Sequence, residues 1–194
     1  MKKALVVATG NPGKLKEIQD YLTDLEVELQ LKPPDLEVEE TGETFEANAC
    51  LKAATVARFT QQWAIADDSG LAVDALNGAP GIYSARYAPT STECIARVLG
   101  ELGNNPNRQA QFICAMAIAR PDGSIALQAR GICPGEILIA PRGSSGFGYD
   151  PIFYVSSERL TFAEMSPETK HQVSHRGQAF KILLPQLREL LGLA

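Results

Sequence analysis

Asp67 and Asp68 stand side by side after the short apolar run Ala64–Ala66, and Ser69 and Gly70 follow them directly. Two carboxylates and a hydroxyl closing a strand-like run are well placed to hold Mg²⁺ and to activate a water. If the strand continues, its side chains alternate, so one acid faces a site and the other is structural. Like charges so close raise one pKa toward a useful general-base value. The pair alone is weak, since many surface turns carry two acids; four further blocks give it weight. Thr9-Gly10-Asn11-Pro12-Gly13-Lys14 follows the first apolar run. Glu39-Glu40-Thr41-Gly42-Glu43 precedes Phe45, Asn48 and Lys52. Phe147-Gly148-Tyr149-Asp150 and Ser174-His175-Arg176-Gly177 lie far downstream.

Each block has its own chemistry and its own plain alternative. In Thr9–Lys14 a strand feeds a glycine turn and then a helix start, where free backbone N–H groups and the dipole favour an anion. Lys14 adds a full charge; an ordinary capped helix is the alternative. The block lacks the glycine spacing and Lys-Ser/Thr pair of a Walker A loop. Asn48 and Lys52 are four apart and share a helix face. The acidic run is either a solvated stretch or the source of a second oxygen ligand for Mg²⁺, which takes only one or two protein carboxylates. Phe147 and Tyr149, spaced i, i+2 around Gly148, read as rings that clamp a flat base, or as a core pair after a turn. Asp150 accepts from a ring N–H. His175 and Arg176, with Lys170 near, are donors to a base carbonyl, or else the surface-exposed first turn of a helix capped by Ser174. Basic residues at a helix start oppose its dipole, so they ask for a reason.

The elements that must position these blocks follow from apolar spacing. Residues 3–8 read as a buried strand, and Leu15, Ile18, Leu22 and Leu25 as a helix capped by Asn11 with Pro12 at its first position. Residues 27–31 suggest a second strand. Residues 45–60 read as a helix with Phe45, Ala49, Ala53, Val56 and Ala57 on its apolar side. Residues 64–66 and 71–73 read as two short strands, residues 78–87 as a long ordered loop, and 92–102 as a helix. Residues 109–119 and 124–133 read as a hairpin around Pro121-Asp122-Gly123, with a third strand over 135–140. The last helix carries Phe180, Leu183, Leu184, Leu187, Leu190 and Leu191, and Pro185 is expected to kink or restart it. Helices alternating with strands early, and a hairpin region in the middle, argue for an α/β fold with a mixed sheet.

Size and composition narrow the classes. A chain of 194 residues fits one domain, and 45% apolar with 21% charged residues fits a globular protein. A net charge of -5 argues against a nucleic-acid polymer as partner. Cys50, Cys94, Cys114 and Cys133 match no zinc spacing and read as buried free thiols in a reducing cytoplasm. No signal peptide or membrane span is expected.

Taken in order, the five blocks closely resemble the RdgB/Ham1 family of non-canonical purine nucleoside triphosphate pyrophosphatases, the inosine triphosphatases, from Thr9 to about Phe180. Ala66–Leu71 continued by Gly81-Ile82-Tyr83-Ser84-Ala85-Arg86-Tyr87 is especially characteristic. The resemblance implies an elongated, two-lobed α/β fold about a long mixed sheet, spanning residues 1–194 as one domain, with the active-site cleft between the lobes. It implies a homodimer and Mg²⁺-dependent hydrolysis of dITP, ITP and XTP to monophosphate and pyrophosphate. On this chain it implies that Thr9, Gly10, Asn11, Pro12, Gly13, Lys14 and Lys52 hold the triphosphate. Asp68 would accept the proton and bind the metal with Glu40, leaving open whether Glu39 takes that place. Ser69 would contact substrate, Phe147, Gly148 and Tyr149 would frame the base, and Asp150, Lys170, His175 and Arg176 would surround its polar edge. A Maf-like pyrophosphatase of different base preference and a nucleotide-sensing module that binds without cleaving are the competing readings.

Overall fold

A computed structural model of the chain describes residues 3–192. Its strands are β1 (Lys3–Val7), β2 (Val27–Leu31), β3 (Trp63–Val73), β4 (Gln109–Ala119), β5 (Ile125–Ile137), β6 (Phe153–Val155) and β7 (Leu160–Thr161). Its helices are α1 (Pro12–Leu22), α2 (Phe45–Thr60), α3 (Ser91–Leu102), α4 (Pro167–Val173) and α5 (His175–Leu191). The strands form one sheet in the order β2-β1-β3-β4-β5-β6-β7. β1 is parallel to β2 and β3, whereas β6 is antiparallel to β5 and β7, so the sheet is mixed as the sequence predicts.

Local chemistry starts the helices where the site needs them. Asn11 caps α1, its Oδ1 accepting from Gly13 N at 2.9 Å and Lys14 N at 3.2 Å. Thr44 caps α2 by accepting from Ala47 N at 3.1 Å. Such caps are each worth about 1 kcal/mol. Ser174 closes α4 with its N–H on Lys170 O and opens α5 with its Oγ on Gly177 N. That one residue turns the chain so that His175 and Arg176 begin a new helix.

Three elements depart from the sequence reading. The two short strands around the acids are one eleven-residue strand, β3, and Asp67 and Asp68 lie within it. A strand can carry them because lysines from the preceding helices neutralise them. The expected strands 124–133 and 135–140 are likewise one strand, β5, running through Pro134. Pairing with β6 begins only at Glu136, so the missing Pro134 N–H loses no bond to that neighbour. Residues 81–86 form a 3-10 helix instead of a loop. Of the two outcomes expected at Pro185, a restart is not seen: α5 continues through it to Leu191.

The chain folds as two compact units. The first comprises the residues up to Asp68, Ala115–Arg130, and those from Ala179 on. Buried in it are Leu5, Val6 and Val7 of β1, Ile18 and Leu22 of α1, Phe180, Leu183 and Leu187 of α5, and the predicted apolar side of α2. The second comprises Ser69–Cys114 and Gly131–Gln178. Phe112, Phe153 and Phe162 pack there ring against ring, with centroids 4.7 to 5.5 Å apart. Burying each such ring contributes about 2–3 kcal/mol. Among the described residues no helix is long and apolar enough to cross a membrane.

Candidate active site

Acids and lysines converge in the first unit. β3 presents Asp68 toward α2: Lys52 Nζ lies 2.9 Å from Asp68 Oδ1, and Asn48 Nδ2 donates to Asp68 Oδ2 at 3.2 Å. Both partners sit on the helix face that the four-residue spacing predicts. The same Lys52 ammonium reaches Glu40 Oε1 at 2.8 Å. Of the adjacent glutamates, Glu40 is half-buried on Lys52 and Glu39 is exposed. Asp67 alternates to another partner, Lys14 of α1, at 3.2 Å. Asp68 and Asp67 are 5% and 1% exposed, so these charges interact at low dielectric and weakly screened.

Burial pushes the Asp68 carboxyl above its ordinary pKa; Lys52 and Lys14 pull it back without cancelling that effect. Burial works against the Lys52 charge, but Asp68, Asp67 and Glu40 overcome it and raise the lysine. A carboxylate made more basic by desolvation yet held ionised by a cation suits proton abstraction from water.

Asn48 is the residue here that the sequence names without assigning a role. It is fully buried, and its Oδ1 accepts from Gly42 N at 2.8 Å while its Nδ2 holds Asp68. It thus ties the loop after Glu40 to the acid. Its four-residue spacing from Lys52 was the available signal.

The Thr9–Lys14 turn corrects one expectation. The amides of Gly13 and Lys14, expected to be free for an anion, are taken up by Asn11 Oδ1, and Pro12 has none. Thr9 Oγ1 accepts from Asn11 N at 3.1 Å, which braces the turn further. Anion attraction at this turn therefore rests on the Lys14 charge more than on helix amides. Gly10 is exposed, with open space on its Cβ side.

The residues that the sequence expects around a base gather in the second unit. Lys170 Nζ lies 2.7 Å from Asp150 Oδ2 and over the Phe147 ring at 4.9 Å. Asp150 Oδ2 also accepts from Phe147 N at 2.8 Å. Asp150 therefore braces its own turn and neutralises Lys170. Arg176 Nη2 donates to Ser69 Oγ at 3.0 Å. His175 stacks on Phe112 with centroids 4.7 Å apart. Both are buried, at 5% and 1% exposure for His175 and Arg176, so the alternative of a surface first turn is wrong.

The two aromatic rings of this block do not stand as a pair. Gly148 has φ of 59°, which turns the backbone, so the i, i+2 rule for an extended chain fails. Phe147 stays half-exposed, whereas Tyr149 is 4% exposed and joins the second core. The Tyr149 hydroxyl donates to Ser84 O at 2.9 Å.

The donor set fits a hard divalent cation only sparingly. Among the described residues no group of three or more His, Cys, Asp or Glu stands together as a metal site. Glu40 and Asp68 meeting on one ammonium form a two-carboxylate oxygen set, the number Mg²⁺ takes when water and phosphate complete its shell. The four cysteines are free thiols, three buried and Cys50 half-buried.

Known proteins share this arrangement of elements. A dITP/XTP pyrophosphatase of Nostoc sp. is 66% identical over 99% of this chain and 98% of its own. One of Synechocystis sp. is 62% identical over 94% of each. The solved structure of a HAM1 protein from Coxiella burnetii superposes with a TM-score of 0.88 at 43% identity, covering 96% of this chain and 99% of that one. The Ham1 family pattern matches residues 5–186. With that pattern running through both compact units, the chain belongs to the Ham1 family.

Proposed function

We propose that this chain hydrolyses non-canonical purine nucleoside triphosphates, dITP, ITP and XTP, to the monophosphate and pyrophosphate, so removing deaminated purines from the nucleotide pool. One observation carries the reading: a buried carboxylate, Asp68, made basic by desolvation and oriented by Asn48 and Lys52. Curated relatives at up to 66% identity are dITP/XTP pyrophosphatases, which supports the substrate class.

Asp68 takes a proton from water as the water oxygen attacks the α-phosphorus. The bond from that phosphorus to the bridging oxygen breaks, and pyrophosphate leaves with the electron pair. Lys14 and Lys52 stabilise the negative charge that builds on the leaving group. Glu40 and Asp68 would hold Mg²⁺, which when bound neutralises polyphosphate charge. Phe147 offers a ring face to the base, and Lys170 and Arg176 carry N–H donors suited to a carbonyl at purine position 6. Adenine has an amine there, and facing donors reject it by roughly 10²-fold or more. A cytoplasmic homodimer belongs to the same reading; the exposed apolar side chains of Tyr83 and Ile132 support an interface, which light scattering of the purified chain checks.

Pyrophosphate release from dITP, XTP, dATP and dGTP, each with Mg²⁺ or excess chelator, tests the proposal. Mg²⁺-dependent release from dITP and XTP, leaving the monophosphate, is the expected result. Orthophosphate release, or equal rates on dATP, overturns the stated reaction or its base preference. Tight binding without release favours the nucleotide-sensing alternative.

A further inference from the structure

The Gly81–Tyr87 run is the most characteristic part of the sequence without a role in the steps above. β3 pairs with β1 only over Trp63–Ile65. Beyond the acids, residues 79–84 lie along β3 instead. Ala72 bridges Pro80, Val73 N donates to Ala79 O at 3.1 Å, and Leu71 N donates to Ser84 Oγ at 2.9 Å. A serine side chain thus stands in for a strand partner at Leu71, which is fully buried. The Ser84 hydroxyl spends its own proton on Gly81 O at 2.6 Å. Its carbonyl faces the other way, accepting from the Tyr149 hydroxyl at 2.9 Å. Ser84 itself is 7% exposed, so both links run through dry surroundings.

The two ends of this bridge are informative. Leu71 is two residues from Ser69, which holds Arg176. Tyr149 is two residues from Phe147 and next to Asp150, which holds Lys170. We propose that Ser84 is a positioning residue: through its hydroxyl and its carbonyl it fixes the Phe147–Asp150 turn against the Ser69–Leu71 stretch of β3, and so sets the spacing between the Phe147/Lys170 pair and the Ser69/Arg176 pair. It touches no substrate. Its consequence for base selectivity rests on the function proposed above; its hold on the turn does not.

Two variants cut the bridge at different points. Ser84→Ala leaves Leu71 N–H without its acceptor, and Tyr149→Phe removes the hydroxyl that the Ser84 carbonyl holds. Hydrogen–deuterium exchange of the unliganded protein should show faster exchange for the 143–150 peptide in both variants, with α1 and α2 unchanged. Each variant should raise KM for dITP about tenfold, the effect of one or two buried hydrogen bonds, with a much smaller change in kcat. The dITP-to-dATP ratio of kcat/KM should fall by a similar factor. The double variant should be no worse than about twofold beyond the poorer single one, because both changes break one link. Unaltered exchange in the 143–150 peptide, equal losses on dITP and dATP, or fully multiplicative effects would overturn the proposal. If Ser84→Ala does not fold, Tyr149→Phe decides through the same exchange and ratio. A wild-type protein that does not separate dITP from dATP refutes the base reading, and exchange alone then decides the role of Ser84.

Discussion

Lys52→Met removes the single ammonium shared by Glu40 and Asp68 and keeps most of the aliphatic stem. Both carboxylate oxygens lie within 2.9 Å of that nitrogen, and the side chains are 23% and 7% exposed. Without it two anions that shared one nitrogen face each other at less than about 6 Å, a repulsion of at least about 3 kcal/mol at an effective dielectric near 20. For a chain this long that lowers the melting temperature by about 6–12 °C. The sign with pH follows from Asp68. Its pKa is already raised in the fold, and Lys52 is one of the groups pulling it down. Removing Lys52 raises it further, so the strain is greatest above that pKa and fades as protonation at falling pH removes the repulsion. A divalent cation between the freed acids should also relieve it. Scanning fluorimetry in chelator and in Mg²⁺, at neutral and acidic pH, reads all of this. The expected pattern is a large loss at neutral pH in chelator, with Mg²⁺ stabilising the variant more than the wild type. A variant that melts with the wild type in chelator refutes the shared-ammonium account. Equal Mg²⁺ shifts in the two proteins refute the carboxylate pair as a cation site.

Asp68→Asn should reduce turnover by at least about 10³-fold, with the circular dichroism of the wild type; an active variant refutes the general-base role proposed for Asp68. Gly146→Ala should destabilise by about 1–3 kcal/mol in urea, because Gly146 has φ of 79° and an added Cβ meets the Asp150 carboxylate. An unchanged midpoint would show that the turn yields more easily than its geometry indicates. Burial pushes the Cys133 thiol up to about 12, and Cys50 is raised too, by burial and then by Glu46. Because the thiolate is the reactive form, native alkylation at pH 8 should be slow and confined to Cys50, speeding as pH rises, whereas denaturation should expose all four thiols. Mass spectrometry that finds Cys133 modified first would contradict this order.

Much of this was legible wherever neighbouring residues decide the structure. Asn11-Pro12 caps α1 as its composition predicts, and the buried side of α2 is the alanine-rich stripe read from periodicity. The resemblance carried by five modest blocks led to the right family. Readings failed where distant partners decide. Two adjacent aspartates look like the end of a strand because burying them alone is unfavourable; Lys14 and Lys52, supplied from two other helices, reverse that balance. For His175-Arg176 it is the alternative of an exposed helix start that fails, because Phe112 stacks on the imidazole and Ser69 accepts from the guanidinium. Phe147 and Tyr149 are separated by a single backbone angle at Gly148, which residue spacing does not encode.

Glu40, Lys52, Lys14 and both aspartates belong to one compact unit, and Ser69, Phe147, Asp150, Lys170 and Arg176 belong to the other. The border between those sets falls on the peptide bond joining Asp68 to Ser69. On the function proposed above, variation confined to Gly131–Gln178 should therefore change which base is read while Glu40, Lys52, Lys14, Asp67 and Asp68 stay as they are. A library confined to that segment would then explore taste in nucleobases with the acid and lysine cluster unaltered.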